Sequence, residues 1–159
     1  MKEKNILQKT KLFDDLTTQE WNELIKIAEQ RGYKESDVIF SQGDQSTELY
    51  VVIEGEVEIQ ISIAPQLAES TVYTAKIYDI FGEFAFVEPQ PRSATARCTK
   101  ECRLLMIRRD DFNELIKKFP DIGLNFYRNL ARLLSERLRR MNNYLREIFI
   151  RSLGLEILT

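Results

Sequence analysis

The stretch FGEFAFVEPQPRSATA, residues 81–96, places Glu83 and Arg92 nine positions apart among aromatic, small and proline residues. A short helix beginning near Gly82 would present unpaired backbone N–H groups in its first turn, and such groups favour an anion. An arginine directed to the same point adds a planar set of donors that pairs with a phosphate through two hydrogen bonds. This combination indicates a phosphate site.

Glu83 brings a different chemistry, because an ionised carboxylate only accepts hydrogen bonds and suits a hydroxyl such as the 2′-OH of a sugar. Ser93 and Ala94 are small, so their backbone N–H groups can also approach a ligand. Phosphate donors beside a hydroxyl acceptor fit a ribose phosphate. The alternative is a buried Glu83–Arg92 ion pair that only specifies the fold, and the residue types alone leave both interpretations open.

The composition limits the other functions that the chain can carry. Its 159 residues suit one domain, and a net charge of −2 favours no particular partner. The chain has no histidine, which removes the usual general base and the usual zinc or haem ligand. Since nothing beside Glu83 supplies a nucleophile, a metal site or a second acid, we expect a protein that is not an enzyme and needs no cofactor.

The two cysteines, Cys98 and Cys102, are four positions apart, which matches neither a CxxC redox pair nor a four-ligand metal site. We therefore expect two ordinary thiols in a cytosolic protein. No apolar run approaches the roughly 18 residues of a membrane span. The N-terminus also lacks the apolar segment of a secretory signal. The expected location is the cytoplasm, without a membrane partner.

Helical patterns lie near the two ends of the chain. Residues 17–31 predict a helix that begins with a capping box of Thr17 and Glu20 and stops at Gly32. Its apolar face is formed by Trp21, Leu24, Ile25 and Ala28. A second helix is predicted at 110–118, where two aspartates suit the first turn, and Pro120 ends it or starts its successor.

Strand patterns fill the middle of the chain. They lie at 38–40, at 49–63 with a tight turn at Gly55, at 71–80, and on both sides of Lys100, with a loop at 64–70. Short strands in the middle with helices at the ends are typical of an α+β fold. We predict an antiparallel β-barrel or jelly roll flanked by an N-terminal helix and a long C-terminal helix. The predicted division is a roll with its N-terminal helix at 1–120 and the long helix with a short tail at 121–159.

The long C-terminal helix carries a heptad pattern of apolar residues over about three heptads. The seam consists of Tyr127, Ala131, Leu134, Leu138, Met141, Leu145 and Ile148. Leu130 and Leu133 lie beside the seam and are expected to face the roll. Because the helix then has one stripe for the domain and a seam left over, we predict a parallel homodimer. The alternative is a helix that only folds back on its own roll.

The same helix is rich in arginine, which raises the question of a nucleic-acid surface. The arginines are Arg128, Arg132, Arg137, Arg139, Arg140, Arg146 and Arg151. No aromatic platform or groove-reading unit accompanies them, so a solvated flank of a coiled coil is the favoured interpretation.

Residues 81–96 resemble the phosphate-binding cassette of the cyclic-nucleotide-binding domain family. The family pattern is F-G-E, a few apolar or small residues, a short loop, and P-R-[SAT]-A-T. The matching residues are Phe81, Gly82, Glu83, Ala85, Pro91, Arg92, Ser93, Ala94 and Thr95. Further similarity is found in VIFSQGD at 38–44, LYVVIEGEVEI at 49–59 and CRLLMIRRDDF at 102–112, so the resemblance covers nearly the whole chain.

The resemblance implies a role for each residue of the cassette. Glu83 would accept a hydrogen bond from the ribose 2′-OH, and Arg92 would pair with the cyclic phosphate. Gly82 would allow close approach of the ligand. The remaining backbone donors of the cradle would belong to Phe84, Ala85, Ser93 and Ala94.

The sequence departs from the family pattern at three informative places. Tyr78 stands where many members have a glycine, and Phe84 and Phe86 are bulkier than the usual leucines. The helix positions that read adenine in some members fall on Arg137 and Leu138. Arg137 can stack on any purine or bind the O6/N7 edge of guanine. These features leave both cyclic purine nucleotides open, and of the two we expect cyclic AMP ahead of cyclic GMP.

Transcription regulators of this family continue into a helix-turn-helix domain, whereas only a short tail follows Ile150 here. We expect no DNA contact through this chain. The predicted function is a cyclic-nucleotide sensor that acts through its C-terminal helix on an unknown effector protein. The alternative is a structural or interaction protein in which Phe84, Phe86 and Arg137 fill a degenerate site.

Overall fold

The structure, a computed structural model, describes residues 2–62 and 69–153. The described residues form five helices, α1 (Lys2–Lys9), α2 (Thr18–Lys26), α3 (Glu83–Val87), α4 (Arg109–Lys118) and α5 (Pro120–Ser152). They form eight strands, β1 (Ala28–Tyr33), β2 (Val38–Phe40), β3 (Leu49–Glu54), β4 (Val57–Ile61), β5 (Ser70–Ala75), β6 (Ile80–Phe81), β7 (Thr95–Cys98) and β8 (Cys102–Ile107). The loop predicted at 64–70 lies largely outside the described residues, as does the tail from residue 154.

The strands form two four-stranded sheets with the orders β1-β8-β3-β6 and β2-β7-β4-β5. Every neighbouring pair is antiparallel. Helices flank the sheets on the N-terminal and C-terminal sides of the chain, so the predicted α+β class is confirmed. The two sheets are separate, and the arrangement is therefore a jelly roll and not a closed barrel.

The sheet β1-β8-β3-β6 is covered on both faces. Leu49 and Val51 of β3 belong to the core beneath the helices, while Tyr50 and Val52 belong to the core between the sheets. This double burial explains why β3 has a continuous apolar run. In contrast, β4 alternates apolar and polar residues and is fully buried only at Val57.

The helices meet the roll through a cluster of buried aromatic rings around Phe126 of α5. The ring centroid of Phe126 lies 4.8 Å from that of Phe112 and 5.4 Å from that of Phe13. Phe86 of α3 lies 5.6 Å from the same ring. The short helix of the cassette is thereby packed directly against the long helix.

Polar contacts fix the beginning of α5 to the segment that precedes α2. The backbone N–H of Asp14 donates to Asn125 Oδ1 over 2.9 Å, and Asn125 Nδ2 donates back to the carbonyl of Asp14. Asn129 Nδ2 donates to Asp14 Oδ1 over 2.6 Å and to the carbonyl of Leu12 over 3.3 Å. The hydrogen bond from Asn129 is the main reason why the pKa of Asp14 is lowered. We call Asn125, Asn129 and Asp14 the asparagine clamp.

Near the N-terminus, one predicted helix was too long and one helix was not predicted. The predicted helix at 17–31 has its capping box, but it ends at Lys26, and Ala28 begins a strand. That strand pairs with β8 from Ala28↔Ile107 to Tyr33↔Cys102, so tertiary pairing overrides the local helical pattern. The helix α1 carries no strong apolar periodicity and was not predicted.

The turn at Gly55 has the predicted sharp geometry, with a φ of 92°. The strands on either side of it do not pair with each other, because β3 and β4 belong to different sheets. The single strand region predicted at 71–80 is likewise divided between β5 and β6, which lie in different sheets. Pro120 occupies the first turn of α5, as one of its two predicted roles required.

Candidate functional site

Gly82 determines how closely Arg92 approaches the backbone of the cassette. It precedes α3 with a φ of 79°, in the left-handed region that L side chains rarely adopt. A Cβ atom at this position would lie 2.8 Å from Arg92 Nη1 and 2.8 Å from the carbonyl oxygen of Glu48. Glycine therefore lets the guanidinium of Arg92 lie directly against the backbone, where Arg92 Nη1 donates to the Gly82 carbonyl over 3.0 Å.

The Arg92 side chain is only 1% exposed, and each of its three nitrogens donates to a protein atom. Arg92 Nε donates to Ser46 Oγ over 2.8 Å, and Nη2 donates to Glu48 Oε2 over 3.1 Å. The guanidinium carbon lies 4.0 Å from the ring centroid of Phe40, which supports the cation from one face. Burial lowers the pKa of Arg92, and the nearby Glu48 carboxylate opposes that shift.

The backbone also holds Arg92 in place. Its N–H donates to the carbonyl of Asp44 over 2.8 Å, and its carbonyl accepts from the N–H of Gly43 over 2.8 Å. Gly43 has a φ of 92°, which gives the turn before β3 its sharp bend. The turn at 42–46 and the loop before β7 are thus joined at the arginine.

Glu83 opens α3 and is buried, with its side chain 8% exposed. It contacts Arg137 of α5, whose Nη1 donates to Glu83 Oε1. The alternative considered from the sequence, an internal Glu83–Arg92 pair, is not what the structure has, because each charge has a separate partner. Arg92 is paired with Glu48, and Glu83 is paired with the long helix.

Arg137 makes two further contacts with the segment that leads into the cassette. Its Nη2 donates to the carbonyl of Ile80 over 2.7 Å, and its guanidinium carbon lies 4.9 Å from the Tyr73 ring centroid. The hydroxyl of Tyr73 donates to Asp79 Oδ2 over 2.7 Å. Burial, aided by this hydrogen bond, raises the pKa of Tyr73 to about 12.

The small residues of the cassette differ in solvent exposure. Ala85 and Ala94 are buried, and Ser93 lies at the surface. The two bulky residues differ as well, since Phe86 is in the core and Phe84 is 57% exposed. Among the described residues, no ring contact joins either phenylalanine to Arg92 or Glu83; the Phe86 ring packs on Phe112 and Phe126 instead.

Tyr78, which departs from the family's glycine, has a φ of 71°. A non-glycine residue in this region carries strain of about 1 kcal/mol or more. Its position is held by backbone hydrogen bonding, because its N–H donates to the carbonyl of Val52 over 2.8 Å. The hydroxyl of Tyr78 accepts a hydrogen bond from Lys9 Nζ over 3.0 Å.

Sequence reasoning missed the side chains that surround Arg92, namely Phe40, Ser46 and Glu48. These residues lie more than 40 positions before Arg92, and no local spacing connects them to it. The turn chemistry of QGDQS at 42–46 was the available signal, since it places polar groups immediately before a buried strand.

The heptad seam lies mostly at the surface of α5. Leu134 packs against the core beneath the helices, as do Leu130 and Leu133 beside the seam. The distal members Leu138, Met141, Leu145 and Ile148 are exposed. The helix thus has a stripe for the roll in its first half and an uncovered seam in its second half.

Cys98 and Cys102 are free and buried, in agreement with two structural thiols. Burial is the main cause that raises the pKa of Cys98 to about 12. Across residues 2–62 and 69–153, no group of side chains has the composition of a metal site. None of the helices in these ranges combines the length and the hydropathy that crossing a bilayer requires.

The described site is therefore a jelly roll with a buried arginine held against the start of a short helix, a buried carboxylate in that helix, and a long C-terminal helix in contact with it. The family model of the cyclic nucleotide-binding domain matches residues 30–119. The chain belongs to the cyclic nucleotide-binding domain family, as the cassette at 81–96 indicates.

Individual relatives agree with this assignment. The chain is 29% identical over 143 residues to the CRP-like cAMP-activated global transcriptional regulator of Mycobacterium tuberculosis, covering 90% of this chain and 62% of the regulator. This chain thus spans about three fifths of that relative's length.

Two solved structures extend the comparison. A cyclic nucleotide-binding domain from Methylobacillus flagellatus has a TM-score of 0.80 at 23% identity, covering 99% of this chain and 86% of that one, and so shows the fold. The regulatory domain of Toxoplasma gondii PKA, crystallised with cAMP, has a TM-score of 0.66 at 30% identity. That match covers 74% of this chain and 45% of the other.

Proposed function

We propose that this chain binds a cyclic purine nucleotide, cyclic AMP in preference to cyclic GMP, and transmits binding through α5 to a partner protein. The observation that carries the proposal is the buried guanidinium of Arg92, held against Gly82 at the start of α3. An inward-facing cation with ordered neighbours is prepared for an anionic ligand, because its position need not be organised on binding.

In the proposed complex the cyclic phosphate lies on Arg92 and on the backbone N–H groups of Phe84, Ala85, Ser93 and Ala94. The ligand phosphate then replaces the Glu48 carboxylate as the main acceptor for Arg92. The ribose 2′-OH donates to Glu83, whose carboxylate belongs to the first turn of α3. Arg137 covers the base from α5, next to Tyr73.

The preference for cyclic AMP is supported by relatives, since the Mycobacterium tuberculosis regulator is named as cAMP-activated and the Toxoplasma gondii domain was crystallised with cAMP. The residues of the site do not exclude cyclic GMP, because Arg137 can also donate to a guanine edge.

Calorimetric titration with cyclic AMP and cyclic GMP tests the proposal directly. We expect saturable binding, tighter for cyclic AMP. Arg92→Ala should weaken binding by about 1.5 kcal/mol or more, because it removes a charge-assisted pair. Arg108→Ala is the matched control, since it removes the same charge from a half-exposed residue that contacts Glu29. Failure of the wild-type protein to bind either nucleotide at millimolar concentration would rule the proposal out.

A second candidate is an interaction protein that binds no nucleotide. It is favoured by one observation, that both ligand-binding groups already have protein partners of opposite charge, Glu48 for Arg92 and Arg137 for Glu83. In that case the seam of α5 is the working surface. An absence of nucleotide binding in a protein that still self-associates or captures a defined partner would support this function.

A further inference from the structure

A cavity of about 260 Å³ lies between α1 and the helix-covered face of the sheet β1-β8-β3-β6. Its volume is a little below the roughly 300–1,000 Å³ of pockets that hold drug-sized ligands, so it suits a smaller molecule. No residue of the cassette at 81–96 lines it. The helix supplies three lining residues and the roll supplies three, namely Asn5, Ile6, Lys9, Ile53, Tyr78 and Arg103.

The cavity has an ammonium group with hydrogen bonds to spare. Lys9 Nζ donates to the hydroxyl of Tyr78 over 3.0 Å and lies 4.6 Å from the centroid of the same ring. Since an ammonium has three donors, it can donate to a ligand as well. No acidic side chain is among the described residues that line the cavity. The lining therefore favours an anion.

The guanidinium of Arg103 is incompletely satisfied. Its Nη2 donates to Glu54 Oε2 over 2.8 Å, but that carboxylate side chain is 65% exposed. Among the described residues, Arg103 Nε is the only buried side-chain nitrogen or oxygen without a hydrogen-bond partner. A buried donor without an acceptor is costly and is rare in native structures. The unpaired Nε indicates that Arg103 needs a further acceptor.

Tyr78 adds backbone strain to the same cavity. Its φ of 71° is unfavourable for a residue with a large side chain. Strained residues of this kind cluster at sites that hold a ligand. The strain keeps the Tyr78 ring beside Lys9, where it forms part of the lining.

The charges and the apolar walls together select the class of anion. Glu54 offsets one of the two cations, which leaves one positive charge for a ligand. A carboxylate carries one charge and matches the planar guanidinium, whereas a phosphate monoester carries nearly two near neutral pH. Ile6 is buried in the core beneath the helices and Ile53 packs against that core, so both offer apolar surface beside the charges.

We propose that this cavity binds a small aliphatic carboxylate, at a site separate from the cassette. The carboxylate lies between Lys9 and Arg103, and the aliphatic chain lies on Ile6 and Ile53. A turn of the guanidinium toward the cavity gives Nε the acceptor that it lacks. The inference does not rest on the proposed nucleotide-binding function, because the two sites share no residue.

Heteronuclear NMR of the whole chain tests the site with sodium hexanoate as the probe. We expect saturable shifts at millimolar concentration for the amides of residues 5–9, Ile53, Tyr78 and Arg103. Acetate has the charge without the chain and should bind about tenfold or more weakly, because it buries fewer methylene groups. Hexanol has the chain without the charge and should be weaker by about tenfold or more as well. Inorganic phosphate should also bind more weakly than hexanoate.

The double variant Lys9→Gln/Arg103→Gln removes both cations and should weaken hexanoate binding by about tenfold or more. Lys26→Gln/Arg31→Gln is the matched control, since it removes the same charge from two exposed residues that each pair with an acidic neighbour. The control should bind hexanoate as the wild type does. Thermal unfolding shows that each protein is folded, and the single variant Lys9→Gln, at an exposed position, provides the test if the double variant is not.

Arg92→Ala distinguishes this cavity from the proposed phosphate site and should leave hexanoate binding unchanged. Loss of hexanoate binding in Arg92→Ala would place the anion in the cassette and overturn the inference. It is also overturned by a wild-type protein without saturable shifts, by equal weakening in both double variants, or by tighter binding of phosphate than of hexanoate. Cyclic AMP should bind equally to both double variants, so a failure here leaves the nucleotide site standing.

Discussion

Three glycines of this domain differ in backbone conformation and in the space around them, and at Gly82 the space is taken by the charged side chain of Arg92. Gly82 combines a φ of 79° with two neighbours 2.8 Å from the place of a Cβ atom, and one of those neighbours is backbone. Gly43 has a similar φ of 92° but open space around it. Gly32 has neither constraint. Comparing the three glycines therefore distinguishes the free-energy cost of a left-handed backbone from the cost of a steric clash at the added Cβ atom.

We expect alanine substitutions at these glycines to destabilise the protein in a defined order. Gly32→Ala should change the free energy of unfolding by no more than about 0.5 kcal/mol. Gly43→Ala should cost about 1 kcal/mol for the left-handed conformation. Gly82→Ala should cost about 2 kcal/mol or more, because the contact with Glu48 adds to the conformational strain.

Urea denaturation of the three variants measures this order. Equal losses at Gly43 and Gly82 would show that the space beneath Arg92 is not restricted. Nucleotide binding should also be lost first at Gly82, since the displaced guanidinium belongs to the proposed phosphate site.

At this scale the sequence could identify the charged residues but not their neighbours. Glu83 and Arg92 stand out because few polar residues surround them in 81–96. No sequence pattern around Glu48 indicates a role, and the residue reaches Arg92 only through the fold. The contact of Arg137 with Glu83 spans 54 positions and depends on the direction in which α5 leaves the roll.

At the scale of elements, the position of α5 is decided by polar and aromatic contacts at its beginning. The asparagine clamp satisfies the backbone N–H and carbonyl of Asp14 through Asn125, in a partly buried setting. Unsatisfied polar groups in such a setting are costly. The clamp therefore holds the long helix to the N-terminal segment more specifically than apolar packing alone would.

Asn125→Ala should lower the free energy of unfolding by about 2 kcal/mol, since two backbone groups of Asp14 lose their partner. Asn143→Ala is the control, because Asn143 lies on the same helix, is exposed, and has no described hydrogen bond. Thermal or urea unfolding gives the comparison. If the two variants were equally stable, the clamp would contribute nothing and the aromatic cluster alone would hold α5.

An element could be predicted where its apolar periodicity matches the secondary structure that it adopts in the fold, and not where the two differ. The apolar residues of α5 repeat at helical spacing, and the segment is a helix in the structure. Residues 28–31 continue a helical pattern but pair with β8, which offers six residues of ladder. The division of 71–80 into two strands follows from the turn at 76–79, where Lys76 N–H donates to Asp79 Oδ2 over 3.0 Å.

At the scale of the whole molecule, the helices cover the outer face of one sheet of the roll, whereas the second half of α5 is exposed. Leu138, Met141, Leu145 and Ile148 repeat at heptad spacing on that exposed part. Tyr144 and Phe149 flank them and are exposed as well. An apolar seam of this length is unusual on a monomer and is typical of a coiled-coil contact.

We expect the protein to be a parallel dimer through this seam, as the sequence pattern predicts. Leu145→Lys places a charge in the middle of the seam and should shift the protein to monomer, because a desolvated lysine opposite its copy is unfavourable. Asn143→Lys adds the same charge about 160° away around the helix, where no seam residue lies, and should leave the dimer intact. Light scattering coupled to size-exclusion chromatography at micromolar concentration measures the mass of each protein.

A wild-type monomer under these conditions would contradict the dimer and leave the distal seam to a different partner. Equal loss of the dimer in both variants would instead assign the effect to charge and not to the seam.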